Sequence, residues 1–221
     1  MGARKELILI EQIISYIFPN VCGICGKICE NSLCPSCSVK LKKIAKYEIE
    51  SISNKNFSYL AYLFKYSGII REKLIVYKFK DHSYLYKTFS KIIIKNKKIC
   101  RFIKSYDIII SVPIHKKRFR QRGYNQSELL AREISRNLEV PIEKEVLIKT
   151  KNNNAQSTLN KSERIKNTID VYAIINSEKV KNKKVLLVDD IYTTGSTANE
   201  CSRMLKQAGA SEIAVLTIAK D

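Results

Sequence analysis

Residues 184–197, KVLLVDDIYTTGST, join an apolar run to two adjacent carboxylates and a turn of small hydroxyl residues around one glycine. Val185 to Val188 contain no polar residue, which predicts a strand buried on both faces of a parallel sheet. From Ser196 onward apolar residues recur at helical spacing until Gly209, so a helix follows the turn. The stretch therefore predicts a strand, a tight turn and a helix, with the turn at the carboxyl edge of the sheet.

The turn has the composition of a phosphate-binding site. The first backbone N–H groups of a helix lack intrahelical partners and lie at the positive end of its dipole, so they bind anions. A glycine lets the backbone approach a ligand closely, and hydroxyls add hydrogen-bond donors. The predicted phosphate ligands are Thr193, Thr194, Gly195, Ser196 and Thr197.

The two carboxylates before the turn need a different ligand, because they would repel a phosphate. Asp189 and Asp190 are suited to sugar hydroxyls or to the hydration shell of Mg²⁺. A phosphate at one end and a diol or metal at the other describe a ribose 5-phosphate group. A nucleotide-binding P-loop is excluded, since no G-x-x-x-x-G-K-[ST] motif occurs.

A second strand, loop and helix are predicted within residues 106–138. Ile108 to Val112 repeat the buried-strand pattern, Pro113 ends it, and a helix starts at Asn125. The loop between them carries the cations Lys116, Lys117, Arg118, Arg120 and Arg122. Such a loop either binds phosphate groups or is a solvated run of charge. Its place at the same sheet edge as the acidic pair favours phosphate binding.

Five of the seven cysteines lie within residues 22–37, CGICGKICENSLCPSC. Cys22 with Cys25, and Cys34 with Cys37, form two C-x-x-C pairs, the ligand pattern of a closed structural Zn²⁺ site. Disulfides and a redox dithiol are weaker alternatives. Cys29 could compete as a ligand, although its place in the middle of the loop favours an ordinary side chain.

The 221 residues suffice for one α/β domain and a small appendage. The net charge of +19 suggests a partner that carries phosphates, or merely a lysine-rich composition. Residues 4–18 predict an amphipathic helix ended by Pro19, because Glu6 and Glu11 interrupt the apolar run of a signal peptide. That helix could pack on the protein, on a partner or on a membrane surface, and core packing is favoured. Residues 38–50 predict a further helix. Residues 57–68 predict a strand, and the residues after Gly68 predict two helices.

An acidic pair followed by T-T-G-x-T resembles the signature of type I phosphoribosyltransferases. With the four-cysteine module, the R-G-Y-N-Q run at 122–126 and the K-T-x(5)-Q pattern from Lys149, the chain resembles the ComF family. The resemblance implies that Asp189 and Asp190 bind ribose hydroxyls and Mg²⁺, and that the turn binds the 5-phosphate of 5-phosphoribosyl-1-diphosphate. It places Pro113 and Ile114 beside the diphosphate. It also implies a mobile loop with the candidates Lys149, Lys151, Gln156 and Arg164, where the family often has arginine at position 149.

The fold expected from these patterns is α/β, with a mainly parallel central sheet, flanking helices and a preceding zinc module. Its expected parts are a helix over 1–19, the four-cysteine zinc module over 20–50 and a phosphoribosyltransferase-like domain over 57–221. The resemblance implies handling of single-stranded DNA during natural transformation, with a helicase partner, in the cytoplasm or at the cytoplasmic face of the membrane. The alternative is an active phosphoribosyltransferase with an unknown nucleobase-like acceptor. No catalytic residue is assigned.

Overall fold

The computed structural model describes residues 20–79, 82–152 and 171–221. The chain forms two compact units, which divide after Ile44. The described part of the first unit holds the cysteine-rich segment and helix α1 (Pro35–Ile44). An antiparallel bridge between Val21 and Ile28 precedes that helix. The second unit, from Ala45 onward, contains the sheet.

The sheet of the second unit is mixed and mostly parallel. Its strands are β1 (Ala45–Ser51), β2 (Tyr59–Lys65), β3 (Ile108–Ser111), β6 (Lys184–Tyr192) and β7 (Glu212–Lys220). They lie in the order β1-β2-β7-β6-β3, and only β1 is antiparallel to its neighbour. Strands β4 (Leu147–Lys149) and β5 (Tyr172–Ile174) form a separate antiparallel pair. The predicted fold class is confirmed.

Helices flank the sheet. They are α2 (Gly68–Phe79), α3 (Leu85–Ile94), α4 (Lys97–Lys104), α5 (Lys116–Arg122), α6 (Gln126–Leu138) and α7 (Ser196–Gln207), with a 3₁₀ turn at Ser177–Lys179. None of the helices in the described ranges has the length and hydropathy that a bilayer span requires.

The central strands are buried on both faces. Val185, Leu186, Leu187 and Val188 of β6 have no exposed surface, and Ala214 to Leu216 of β7 have none either. Each large apolar side chain buried in this way contributes roughly 1.5–3 kcal/mol to folding. Because β3 and β6 are parallel neighbours, their carboxyl ends meet at one sheet edge. That edge carries both predicted ligand-binding turns.

Two local predictions were wrong. Residues 45–50 were expected to continue a helix, but they form β1, in which exposed Lys46 and Glu48 alternate with half-buried neighbours. The period of two and the available edge of β2 favour a strand over a helix here. The cationic loop is helix α5: His115 Nδ1 accepts the Lys117 N–H at 3.1 Å, and Gly123 ends the helix at φ +79°.

Other expectations have mixed outcomes. Helices α2 and α3 and strand β2 occur where the sequence predicts them, whereas α4 and the β4–β5 pair were not predicted. The expected helix over 1–19 lies outside the described residues, as does most of the expected mobile loop.

Candidate functional site

A cavity of about 410 Å³ opens where β3 and β6 end. It is bounded by the strand ends, α2, α5 and the starts of α6 and α7. Its lining includes these residues singled out from the sequence: Pro113, Ile114, Arg118, Arg122, Lys149, Asp189, Asp190, Thr193, Thr194, Gly195, Ser196 and Thr197. The acidic pair, the hydroxyl turn and two of the five cations of α5 therefore share one cavity.

Several other candidates do not line it. Lys116, Lys117 and Arg120 are exposed and do not line the cavity, and Lys151 is exposed beyond β4. Lys149 belongs to the described strand β4, where it pairs with Tyr172, although it was expected in the mobile loop. Gln156 and Arg164 lie outside the described residues.

The acidic pair is held by side chains from two helices. Asp190 is 3% exposed, and Lys78 Nζ of α2 lies 3.1 Å from its Oδ2 and 3.3 Å from its Oδ1. Gln126 Nε2 donates to Asp190 Oδ2 at 3.2 Å, and Ser127 Oγ donates to Asp189 Oδ1 at 3.1 Å. We call Lys78, Gln126 and Ser127 the acid bracket. A ligand at Asp190 has to share that carboxylate with Lys78 or displace it.

The acid bracket is fixed by buried hydrogen bonds behind it. Tyr124 Oη donates to the Tyr77 carbonyl at 2.6 Å, and Tyr77 Oη donates to the Gln126 carbonyl at 2.7 Å. Asn125 Nδ2 donates to the Val112 carbonyl at 3.0 Å, while its Oδ1 caps α6 by accepting the Ser127 N–H at 3.1 Å. The Tyr124-Asn125-Gln126-Ser127 sequence thus ties α2, β3 and α6 to the acids.

The environment of Asp189 favours its protonated form. Burial raises the pKa of Asp189 to about 7, and repulsion from Asp190 adds to the increase. Lys78, the Asp190 N–H and Ser127 Oγ act in the opposite direction. Near neutral pH this carboxyl is therefore poised between its two protonation states. An arriving cation or hydroxyl donor would stabilise the carboxylate.

The turn before α7 keeps an open helix start. Gly195 is the N-cap residue with φ +72° and provides no side-chain cap. Thr194 and Ser196 share a 2.7 Å hydroxyl contact, and the Ser196 N–H donates to Thr194 Oγ1 at 3.3 Å. A Cβ at Gly195 would lie 2.7 Å from Tyr192 Cε2, so glycine is needed beneath this ring. These hydroxyls and the first N–H groups of α7 are the hydrogen-bond donors that this turn offers to a phosphate.

Arg118, Arg122 and Lys149 are cations that line the same cavity as the acids. Burial lowers the pKa of Arg122, an effect that the Asp190 carboxylate opposes. Burial also lowers the pKa of Lys149 to about 8, and Arg118 adds to the decrease. Lys149 Nζ lies 5.5 Å from the centre of the Tyr172 ring. This cluster of desolvated positive charge is suited to a diphosphate.

Sequence reasoning missed several residues of the cavity. Lys78 is one lysine among many in a helix, and no motif marks it. Gln126 is the last residue of the R-G-Y-N-Q run and Ser127 follows it, and that run was the only signal for them. The lining also includes Tyr66, Arg71, Leu74, Ile75, Tyr172, Tyr192 and Asp221.

The first unit contains a separate cluster of thiols. The Sγ atoms of Cys22, Cys25, Cys34 and Cys37 all lie within 4.8 Å of one another, and those of Cys25 and Cys34 are 3.8 Å apart. A tetrahedral site with Zn–S bonds of about 2.3 Å has an edge of about 3.8 Å. The Cys37 N–H also points at Cys34 Sγ, at 3.4 Å. The four thiols could therefore hold a zinc ion. The Cys29 thiol instead donates a hydrogen bond to the Asn31 carbonyl.

The chain is similar in sequence to several known proteins. The family model described as "Phosphoribosyl transferase domain" matches residues 125–221. Competence protein F of Haemophilus influenzae is 30% identical over 148 residues, which cover 65% of this chain and 65% of that protein. The chain thus has homologues named competence proteins and contains a phosphoribosyl transferase domain. Competence protein ComFC of Streptococcus pneumoniae is 29% identical to this chain, over 72% of it and 66% of the relative.

DNA utilization protein YhgH of Escherichia coli O157:H7 is 32% identical over 52% of this chain and 49% of its own length. The matches thus span about half to two thirds of the length of these relatives. Among solved structures, adenine phosphoribosyl transferase of Trypanosoma brucei aligns with 83% of this chain and 67% of its own, at 16% identity and a TM-score of 0.41.

The raised pKa of Asp189 predicts a pH-dependent effect of the substitution Asp189→Asn. In the unfolded chain this carboxyl titrates near 3.9. The folded chain therefore binds the extra proton between about pH 4 and 7, and stability falls as pH rises through that window. Asparagine does not ionise, so the variant does not lose this stability. We expect Asp189→Asn to raise the melting temperature relative to wild type at pH 8, with the difference shrinking towards pH 4.

The measurement is thermal unfolding across pH 4–8, with exposed Glu178→Gln as the control. A difference between Asp189→Asn and wild type that stays constant with pH would contradict the assigned pKa.

Metal analysis of the purified protein is expected to find one zinc ion per chain. Cys34→Ser should lose most of it and destabilise the first unit, because three thiolates leave the tetrahedral site incomplete. Cys29→Ser is the matched control and should keep the metal. Equal zinc loss in both variants would show that the ligand set is wrong.

Proposed function

We propose that this chain binds 5-phosphoribosyl-1-diphosphate with Mg²⁺ in the cavity and takes part in handling single-stranded DNA during natural transformation. The observation that carries the first half is the shared cavity: an uncapped helix start, two adjacent carboxylates and a cluster of cations lie on its walls. Phosphate, sugar diol and diphosphate each require one of these three features.

The proposed ligand is oriented by charge. Its 5-phosphate lies at the start of α7, its ribose hydroxyls lie at Asp189 and Asp190, and its diphosphate lies near Pro113 and Ile114 with Arg118, Arg122 and Lys149. Lys78 moves from Asp190 towards the diphosphate when the sugar binds. This arrangement separates the ligand's negative ends from the acidic pair.

The acid pair also suits Mg²⁺, which prefers oxygen ligands. Gln126 Oε1 is buried and has no hydrogen-bond partner among the described residues, because its Nε2 is turned to Asp190. Together with the two carboxylates it adds a third oxygen to this wall. When bound, Mg²⁺ would neutralise diphosphate charge, and the acid bracket would keep the carboxylates oriented towards it.

The DNA half of the proposal rests on charge and on the relatives. The chain carries a net charge of +19, and its relatives are named as competence and DNA utilization proteins. Non-specific binding of nucleic acid follows from such an excess of cations. A competence helicase on the cytoplasmic side of the membrane is the proposed partner in this process.

The alternative is an active phosphoribosyltransferase with a nucleobase-like acceptor. One observation favours it: the cavity lining also includes Tyr66, Arg71, Leu74 and Ile75, to which binding of 5-phosphoribosyl-1-diphosphate assigns no role. Pyrophosphate release with a panel of nucleobases separates the two functions. Release that depends on one base supports an enzyme, and donor binding without release supports a binding role.

Binding of 5-phosphoribosyl-1-diphosphate, the phosphoribosyl donor, predicts that this ligand stabilises the folded chain. At donor and Mg²⁺ concentrations about 100 times the dissociation constant, the melting temperature should rise by about 5–10 °C. Asp190→Asn should lose most of this shift, because it loses the charge that holds the sugar and Mg²⁺. Glu178→Gln should behave like wild type. A full rise in melting temperature in Asp190→Asn, or no rise in wild type, would contradict the proposed role of the acid pair in ligand binding.

DNA binding predicts strong dependence on salt and little dependence on sequence. Affinity for a fluorescent single-stranded oligonucleotide should fall steeply between about 50 and 200 mM salt, with a log–log slope of about −0.7 for each phosphate contact. Oligonucleotides of scrambled sequence should bind alike. Absence of binding at the lower salt concentration refutes this half of the proposal.

A further inference from the structure

We propose that helix α5 has two binding faces, one for the phosphoribosyl ligand and one for single-stranded nucleic acid, and that the exposed ring of Phe119 stacks on bases at the second face. This inference rests on the proposed binding of single strands, and it adds where they bind and by which contact. It also implies that the two ligands occupy adjoining but separate sites.

The side chains of α5 divide into two sets. Arg118 and Arg122, one helical turn apart, are half-buried and line the cavity. Lys116, Lys117, Phe119 and Arg120 are exposed and do not line it. The cations thus lie on both sides of the helix, and the phenylalanine lies only on the outer side.

The helix is held firmly enough to keep Phe119 at the surface. At its start His115 accepts the Lys117 N–H, and at its end the Gly123 N–H donates to the Phe119 carbonyl at 2.7 Å. Directly beyond Gly123, the hydrogen bonds of Tyr124 and Asn125 anchor the chain to Tyr77 and Val112. The helix is therefore capped at both ends and anchored to the fold directly beyond Gly123, and in this position Phe119 is exposed.

An exposed phenylalanine among cations has the chemistry of a single-strand site. Phe119 is 47% exposed, and among the described residues its ring pairs with no other aromatic ring. The helix contains no acidic residue. Within the described part of the chain, no ion pair engages the side chains of Lys116, Lys117 or Arg120.

These features fit one occupant. An aromatic face binds an unstacked base, while neighbouring cations bind the phosphates on either side of it. A duplex hides its base faces and would use only the cations. An acidic protein would also use the cations, but it has no requirement for an aromatic ring at position 119.

The first experiment substitutes Phe119 and measures the anisotropy of a fluorescein-labelled oligothymidylate of about 20 nucleotides, which is longer than one such site. Phe119→Ala should weaken binding between about 5-fold and 150-fold, the range for loss of one base stack. Phe119→Leu should weaken it similarly, because leucine keeps the apolar surface and loses the π face. Phe119→Trp should bind at least as tightly as wild type.

The second experiment tests the cations through the salt slope. Lys116→Gln with Arg120→Gln should reduce the magnitude of the log–log slope by about 1.4, the value for two lost phosphate contacts on a single strand. Lys181→Gln with Lys183→Gln is the matched control. It removes the same charge from exposed positions before β6, at the opposite sheet edge, and should leave the slope unchanged.

The outcomes separate this inference from the proposed function. If wild type does not bind the oligonucleotide, the proposed DNA function fails. If wild type binds but Phe119→Ala and Phe119→Leu bind equally well, the site on α5 is wrong. Equal losses on single-stranded and duplex DNA for Phe119→Ala would also overturn base stacking. Phe119→Ala should keep the thermal shift with phosphoribosyl donor, and its loss would contradict two separate faces.

Discussion

Two adjacent carboxylates at the end of a buried strand have to be stabilised by the rest of the fold. Asp189 and Asp190 follow four fully buried apolar residues, and burial together with repulsion from Asp190 raises the cost of charging Asp189. The acid bracket meets that cost with one ammonium, one amide and one hydroxyl. Because these groups come from α2 and α6, the acids determine how both helices approach the sheet edge.

The position of α5 follows from the same constraint. The Tyr124-Asn125-Gln126-Ser127 sequence supplies two members of the acid bracket and the hydrogen bonds that fix them. Helix α5 ends immediately before this sequence, so its cations are fixed relative to the acids. Arg118 and Arg122 then line the same cavity as the two carboxylates. One cavity therefore offers both positive and negative groups to a ligand.

Sequence patterns predicted the parts that depend on local chemistry. The β6–turn–α7 unit, the buried β3 strand and the cysteine pairs each lie within one continuous stretch, where apolar periodicity, glycine and residue spacing are informative. Helix α5 was missed because its charges suggested a loop. In the structure His115 caps the start of this helix and Gly123 ends it. Lys78 was missed because an ion pair across 112 positions leaves no local pattern. β1 was missed because its alternation is short and its partner strand is supplied by the tertiary fold.

A crystal structure with 5-phosphoribosyl-1-diphosphate and Mg²⁺ tests the central claim most directly. We predict the 5-phosphate at the N–H groups that begin α7, the ribose hydroxyls at Asp189 and Asp190, and Lys78 withdrawn from Asp190. The contrary result is a complex in which the Lys78–Asp190 ion pair is intact and the ligand lies elsewhere. The acid bracket would then be a purely structural device that closes the sheet edge.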